Sequence, residues 1–277
     1  MSSYQPKSII PDCKLFSGYK PCLPYKTCEG CPDPQPFGTK ILLVNLDNIG
    51  AVMMTTAQLP AIKKQEPHST IFWLTQKMCM PVLENNPYVH EVFAWNDENR
   101  TILRAMRFDL LLNADKNRNA CAFVNEVQAT EKRGFGLNAN GAVVPLNAGA
   151  EYNYFLGTHD EHKFRRNTRT AQDILAETWE IPYARDQYVL QLTEDEMLEC
   201  RAWRKKLEIE NAKLVVGLNS GCSSAYPNKK LLIEQHAQRQ RGLGALFPCG
   251  QFAALGRMMR VFEAAAARIA RRVLLEP

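Results

Sequence analysis

Four short apolar runs constrain this chain more than any other feature. "KILLVNL" (40–46), "STIFWLT" (69–75), "HEVFAW" (90–95) and "FDLLLNA" (108–114) recur with polar, helix-like stretches between them. The first gap holds a helical pattern over roughly Ala51–Gln65, and "MCMPVLENNP" gives a short helix ended by Asn-Asn-Pro. A helix near Glu98–Met106 precedes the fourth run, and another near Ala120–Gln128 precedes "KRGFGL" (132–137). Strands that are apolar on both faces, separated by helices, fit a parallel sheet covered on both sides. The expected class is therefore α/β.

Beyond this block the pattern loosens. Residues 138–165 read as an irregular excursion in which "GAVVPLN" and "EYNYFLG" are short strands. "RNTRTAQDILAETWEIP" gives a helix near 168–180, closed by Pro182. In "LTEDEMLECRAWRKKLEIE", Thr193 and Glu196 have the spacing of a capping box, opening a helix that runs to about Leu207. "AKLVVGLNSG" (212–221) is again a buried strand entering a glycine turn, the first strand of a second domain. The reading gives a Cys-rich leader over 1–37, a first domain over 38–180, a linker and helix over 181–211, and a partial second domain over 212–277. That last piece is shorter than the roughly 100–150 residues of a typical domain, so it reads as incomplete.

The net charge of +5 would suit a nucleic-acid partner if it were spread along a surface, but it is not. Residues 1–230 hold 27 Lys and Arg against 26 Asp and Glu, whereas residues 231–277 hold seven Arg and three Glu. No nucleic-acid partner is expected. Lysine disappears after Lys230, and the segment from about 237 to 277 is rich in Ala, Gly, Leu and Arg. Two readings stay open: a terminal helix of shifted composition, or a change of reading frame after residue 230 that leaves the second domain truncated. No run approaches the roughly 18 apolar residues of a membrane span. "MSSYQPKSIIPDCK" lacks the apolar core of a secretory signal, so a cytoplasmic location is expected.

Two glycine turns at strand ends carry a more specific signal. "VNLDNIGAVMMTTAQLPAIKK" resembles the opening of the heptosyltransferase-like glycosyltransferases of family 9, which reads "K-L-G-x-I-G-D-V" and then "x-T-T-P-A-L". Leu46, Ile49, Gly50, Val52, Thr55, Thr56 and Leu59 match it. "GLNSGCSSAYPNKK" resembles that family's "N-x-G-x-G-x-R-W-P-T-K-R-W" through Asn219, Gly221, Tyr226, Pro227, Lys229 and Lys230. "PYVHEVFAWN" and "FDLLLNADK" stand where the family has its third and fourth strands, and the likeness covers about residues 12–236.

The resemblance implies a GT-B-like fold: a Rossmann-type parallel sheet in the N-terminal domain, and a second Rossmann-like domain that is incomplete here. It implies inverting, metal-independent transfer of a heptose or related sugar from a nucleotide-activated donor to a lipopolysaccharide core or related glycan acceptor. The place of action would be the cytoplasm, peripherally at the inner face of the cytoplasmic membrane. By the same likeness, Asn48, Gly50 and Thr55 bind acceptor, and Asn219, Ser220, Gly221, Lys229 and Lys230 bind the donor phosphates. Lys229 also serves catalysis, because charge develops on the departing diphosphate.

Departures from the family pattern qualify this. The family base is an Asp directly after the turn glycine, and here that position is Ala51. Asp47, in the same turn, has two readings: a substitute base pointing into the cleft, or an Asx-type turn residue bonded to nearby backbone. The family Arg before the aromatic-Pro pair is Ala225, and the later nucleotide-binding loop has no counterpart after Lys230. The alternative is thus a non-catalytic, degenerate glycan-binding protein of the same fold.

The leader carries Cys13, Cys22, Cys28 and Cys31, spaced C-x8-C-x5-C-x2-C, in a stretch similar to the cysteine-bearing opening of one family subgroup. Four thiolates can close a tetrahedral structural zinc site. An iron–sulfur centre and free thiols are the other readings. No cofactor is expected to take part in catalysis.

Overall fold

The computed structural model describes residues 10–206 and, beyond them, Gln235 and Gln238. The chain divides into two compact units, Met1–Gln191 and Leu192–Pro277. In the first, five strands form one parallel sheet: β1 (Lys40–Asn45), β2 (Thr70–Thr75), β3 (Val89–Ala94), β4 (Arg107–Asn113) and β5 (Gln128–Arg133). Their order, β3-β2-β1-β4-β5, runs outward in both directions from the central β1. The strand order therefore reverses between β1 and β4, which is where ligands bind in sheets of this kind.

Continuous apolar sequence follows from this topology, since β1 and β2 are buried on both faces. Alternate side chains serve opposite layers. Ile41, Leu43, Ile71 and Trp73 meet α1 (Ile49–Thr56), α2 (Leu59–Gln65), α3 (Met80–Leu83) and α7 (Ala171–Trp179). Leu42, Val44, Phe72 and Leu74 meet α4 (Asp97–Ala105) and α5 (Arg118–Glu126). The α/β class and the parallel sheet expected from the sequence are thus present. The single helix expected over Ala51–Gln65 is two, because α1 ends at Thr56 and Pro60, in the first turn of α2, has no N–H to continue an earlier helix.

The excursion after β5 is more ordered than its sequence suggested. A small antiparallel sheet pairs β6 (Phe135–Leu137) with β7 (Val143–Pro145), so "GAVVPLN" does hold a strand. "EYNYFLG" does not: it forms α6 (Glu151–Thr158), followed by a single turn of π-helix at His162–Arg166. Its spacing explains the difference. Ala150 and Tyr154 share the β6–β7 cluster, while Phe155 stacks on His159 with ring centroids 3.9 Å apart, both at the i, i+4 interval of a helix.

Gly134 makes the corner between β5 and β6. Its φ is +105°, and a Cβ there would stand 2.1 Å from the Asn113 carbonyl oxygen, so only glycine fits.

The second unit is described through α8 (Glu194–Lys206). Its capping box closes reciprocally: Glu196 N donates to Thr193 Oγ1 at 3.2 Å, and Thr193 N donates to Glu196 Oε2 at 2.9 Å. The strand expected at 212–221 and, apart from Gln238, the tail lie outside the described residues. Among the described residues, no helix is long and apolar enough to cross a membrane.

Candidate functional site

β1 and β4 end in the same three-residue device. In Asn45-Leu46-Asp47 the Asn45 Oδ1 accepts the Asp47 N–H at 3.2 Å, and in Asn113-Ala114-Asp115 the Asn113 Oδ1 accepts the Asp115 N–H at 3.0 Å. Each asparagine is buried and spends its amide on the fold. Asn45 Nδ2 donates to Thr55 Oγ1 at 2.8 Å, and Asn113 Nδ2 donates to the Phe135 and Asp115 carbonyls at 2.7 and 3.0 Å. A buried thiol then seals each turn, Cys79 against the Asp47 carbonyl and Cys121 against that of Asp115, both at 3.4 Å. Burial pushes both thiols up, Cys121 to about 11, so neither is a nucleophile at neutral pH.

Asparagines also start the helices beyond the turns. Asn48 Oδ1 accepts the Ala51 N–H at 3.1 Å, and Asn117 Oδ1 accepts the Asn119 N–H at 2.8 Å.

Between these strand ends and the α6–α7 segment lies a pocket of about 440 Å³. It falls in the size range of small-ligand sites. Asp47, Ala51, Thr55, Asp115 and Lys116 line one side, and Asn153, Lys163, Asn167 and Arg169 line the other.

Its two carboxylates differ sharply. Asp47 is exposed, and its Oδ1 accepts from both the backbone N–H and the side-chain amide of Asn48, at 2.7 and 2.9 Å. Asp115 is only 8% exposed. Burial raises its pKa to about 6; the Leu46 N–H that it accepts pulls the value down, and the Asp47 charge pushes it up again. A carboxyl group poised there is ionised at neutral pH and can still take a proton.

The neighbouring cation is perturbed in the opposite sense. Burial, and then the charge of Lys163, lower Lys116 to about 8. Its ammonium donates to the Asn153 carbonyl and lies 4.9 Å from the Phe135 ring centroid. Gly157 gives it room, since a Cβ there would stand 3.0 Å from Lys116 Nζ. Arg169 is held by Glu177 at 2.5 Å and by the Tyr152 ring at 4.9 Å.

Of the residues singled out in the sequence, Asp47, Ala51 and Thr55 face this pocket. Thr55 is nearly enclosed, its hydroxyl donating to the Ala51 carbonyl at 2.9 Å while accepting from Asn45. Asn48 and Gly50 sit at the start of α1, where Asn48 acts as the cap. Asn219, Ser220, Gly221, Lys229 and Lys230 lie outside the described residues. Asp115, Lys116, Lys163 and Arg169 escaped the sequence reading. The repeated Asn-x-Asp at two strand ends was the available signal for the first of them.

The four leader cysteines line a different pocket, with Phe16 and Lys26. Among the described residues, no three His, Cys, Asp or Glu side chains stand close enough together to ligate a metal.

No family profile matches the chain, and neither does any curated protein. Among solved structures, the glycosyltransferase family 9 protein of Veillonella parvula DSM 2008 is similar, with a TM-score of 0.56 and 19% identity over 75% of this chain and 60% of that one. E. coli heptosyltransferase WaaC with ADP gives a TM-score of 0.39 and 13% identity, over 73% of this chain and 78% of that one. The same enzyme with ADP-2-deoxy-2-fluoro heptose gives 0.43 and 14%, over 75% and 66%. The chain spans about 60% of the length of the Veillonella protein. The α/β unit built around this pocket shares its fold with that family 9 glycosyltransferase structure.

Proposed function

We propose that this chain is a sugar transferase whose acceptor lies in the pocket between β1 and β4, with Asp115 as general base. The observation that carries the reading is a buried carboxyl group with a pKa of about 6 at the point where the strand order reverses. Perturbed acids in such clefts are candidates for catalysis on physical grounds. In the transfer, an acceptor hydroxyl attacks the anomeric carbon of the donor sugar, its proton passes to the Asp115 carboxylate, and the nucleoside diphosphate leaves with the bonding electrons. Asp115 stands on the same pocket as Ala51 and so fills the gap left by the missing family aspartate. Asp47 remains the alternative base, at the exposed end of the same wall.

Lys116, Lys163 and Arg169 suit an acceptor bearing phosphate or carboxylate groups, in keeping with a lipopolysaccharide core or a related acidic glycan. Of the three residues that the resemblance gives to the acceptor, Thr55 lines this pocket, and Asn48 and Gly50 stand at the start of α1 outside its lining. Asn219, Ser220, Gly221, Lys229 and Lys230 are assigned to a nucleotide-activated heptose or related sugar. The protein would work in the cytoplasm, against the inner face of the membrane that carries the acceptor.

Ala51 favours the second reading, a binding protein that keeps the glycan cleft without transfer. One experiment separates the two. The full chain is incubated with nucleotide-heptose and a deacylated core acceptor, and release of nucleoside diphosphate and acceptor binding are both measured. Release that Asp115→Asn abolishes supports the enzyme. Acceptor binding without release supports the pseudo-transferase. Neither binding nor release overturns both.

A further inference from the structure

The leader is built unlike the rest of the first unit. Residues 10–37 contain neither helix nor strand. Phe37, at its end, packs on Phe72 of the core, but Ile10, Leu15, Tyr19, Leu23 and Tyr25 before it are all exposed, so apolar burial holds little of the segment in place. Its ends are tied by two bonds, Lys14 N to the Gln35 carbonyl at 2.8 Å and Phe37 N to Asp12 Oδ1 at 3.5 Å. A segment this small ordinarily needs a cross-link to keep one conformation.

The cross-linking groups are present and gathered. Cys13, Cys22, Cys28 and Cys31 are free thiols, and all four line one pocket of about 280 Å³. The last two are brought to one side of a tight turn, in which Cys31 N donates to the Cys28 carbonyl at 3.3 Å. Gly30 supplies the left-handed residue of that turn, with φ of +66° and nothing within 4 Å of a Cβ.

We propose that the leader binds one zinc ion through the thiolates of Cys13, Cys22, Cys28 and Cys31. The thiols line a shared space without standing at ligating distance, so binding has to be coupled to closure of the leader around the ion. The leader lacks secondary structure to resist the contraction that would place four sulfurs at about 2.3 Å from a common centre. Binding releases four thiol protons to solvent and leaves a zinc tetrathiolate of net charge −2. With every position filled by sulfur, the ion has no open site for substrate, and its role is to fix the leader.

The test uses the full chain purified under reducing conditions in the presence of zinc and then dialysed. Elemental analysis is expected to give one zinc per chain, X-ray absorption at the zinc edge to give four sulfur neighbours, and a mercurial reagent to release the ion. The double variant Cys28→Ser/Cys31→Ser is expected to lose the zinc. Cys200→Ser, an exposed thiol on α8, is expected to retain it. Absence of zinc from the parent chain would overturn the proposal, as would nitrogen or oxygen neighbours in its absorption spectrum. Iron with acid-labile sulfide, or disulfides among the four cysteines under these conditions, would do the same. The absorption measurement on the parent chain stands even where the serine variant misfolds.

Discussion

The turn after β1 and the turn after β4 share their chemistry and differ in their surroundings. Each runs Asn-x-Asp, bonds the Asp N–H to the Asn side chain, seals the Asp carbonyl with a buried thiol and leads to an Asn-capped helix. Yet Asp47 is exposed and held by Asn48, whereas Asp115 is enclosed and raised to about 6. The device sets where each carboxylate stands. What covers it sets what it can do. Here the cover is the Asn153–Arg169 segment, which reaches over the β4 turn and closes one side of the pocket.

The largest test of this contrast is a matched pair of substitutions. Asp115→Asn is expected to lower kcat by about 10²–10⁴-fold with donor affinity unchanged, and Asp47→Asn by less than about tenfold. Equal losses in steady-state assays would erase the distinction between the two turns. The next test concerns the cation. Lys116→Met is expected to raise the acceptor KM by roughly 10–100-fold, the worth of a charge-assisted hydrogen bond, and to leave donor binding alone.

A pH profile sharpens the same comparison. The base is lost as pH falls through about 6 and Asp115 takes up its proton, and Lys116 loses its charge as pH rises through about 8. A bell-shaped profile of kcat/KM is expected, and Lys116→Arg should flatten only the alkaline limb.

Stability should report the cost of the buried charge. The folded pKa of Asp115 lies above its unfolded value of 3.8, so stability falls as pH rises from there to about 6 and stays lower above it. Removing the charge with Asp115→Asn should therefore stabilise the fold at pH 8, by up to about 3 kcal/mol, and change little at pH 4. Urea midpoints at the two pH values measure the difference. The smallest effects belong to what the turns share. Asn48→Ala and Asn117→Ala should each cost about 1 kcal/mol in thermal or urea unfolding, since both remove a helix cap.

Much of the sheet could be read in advance, because both faces of β1 and β2 are covered and every residue has to be apolar or able to pair. The capping box at Thr193 and Glu196 was equally visible, since it depends only on local spacing. Asp115 was not. Its sequence neighbours, Ala114 and Lys116, say nothing of the Leu46 N–H across the sheet or of Asn153 and Leu156 beyond it. Long-range enclosure made the difference, and local pattern does not encode it. The α6 helix was missed for another reason: its aromatic residues have high strand propensity, and packing of Tyr154 beside Phe135 outweighed it.

The direction of β1 has a practical consequence. The leader joins the strand at Lys40, while the pocket opens beyond Asn45 at its other end. Six residues of extended chain put roughly 20 Å between them. A fluorophore, spin label or surface tether attached where the chain enters β1 would stand at the opposite end of that strand from the mouth of the pocket. Immobilised or labelled protein could then be followed through turnover.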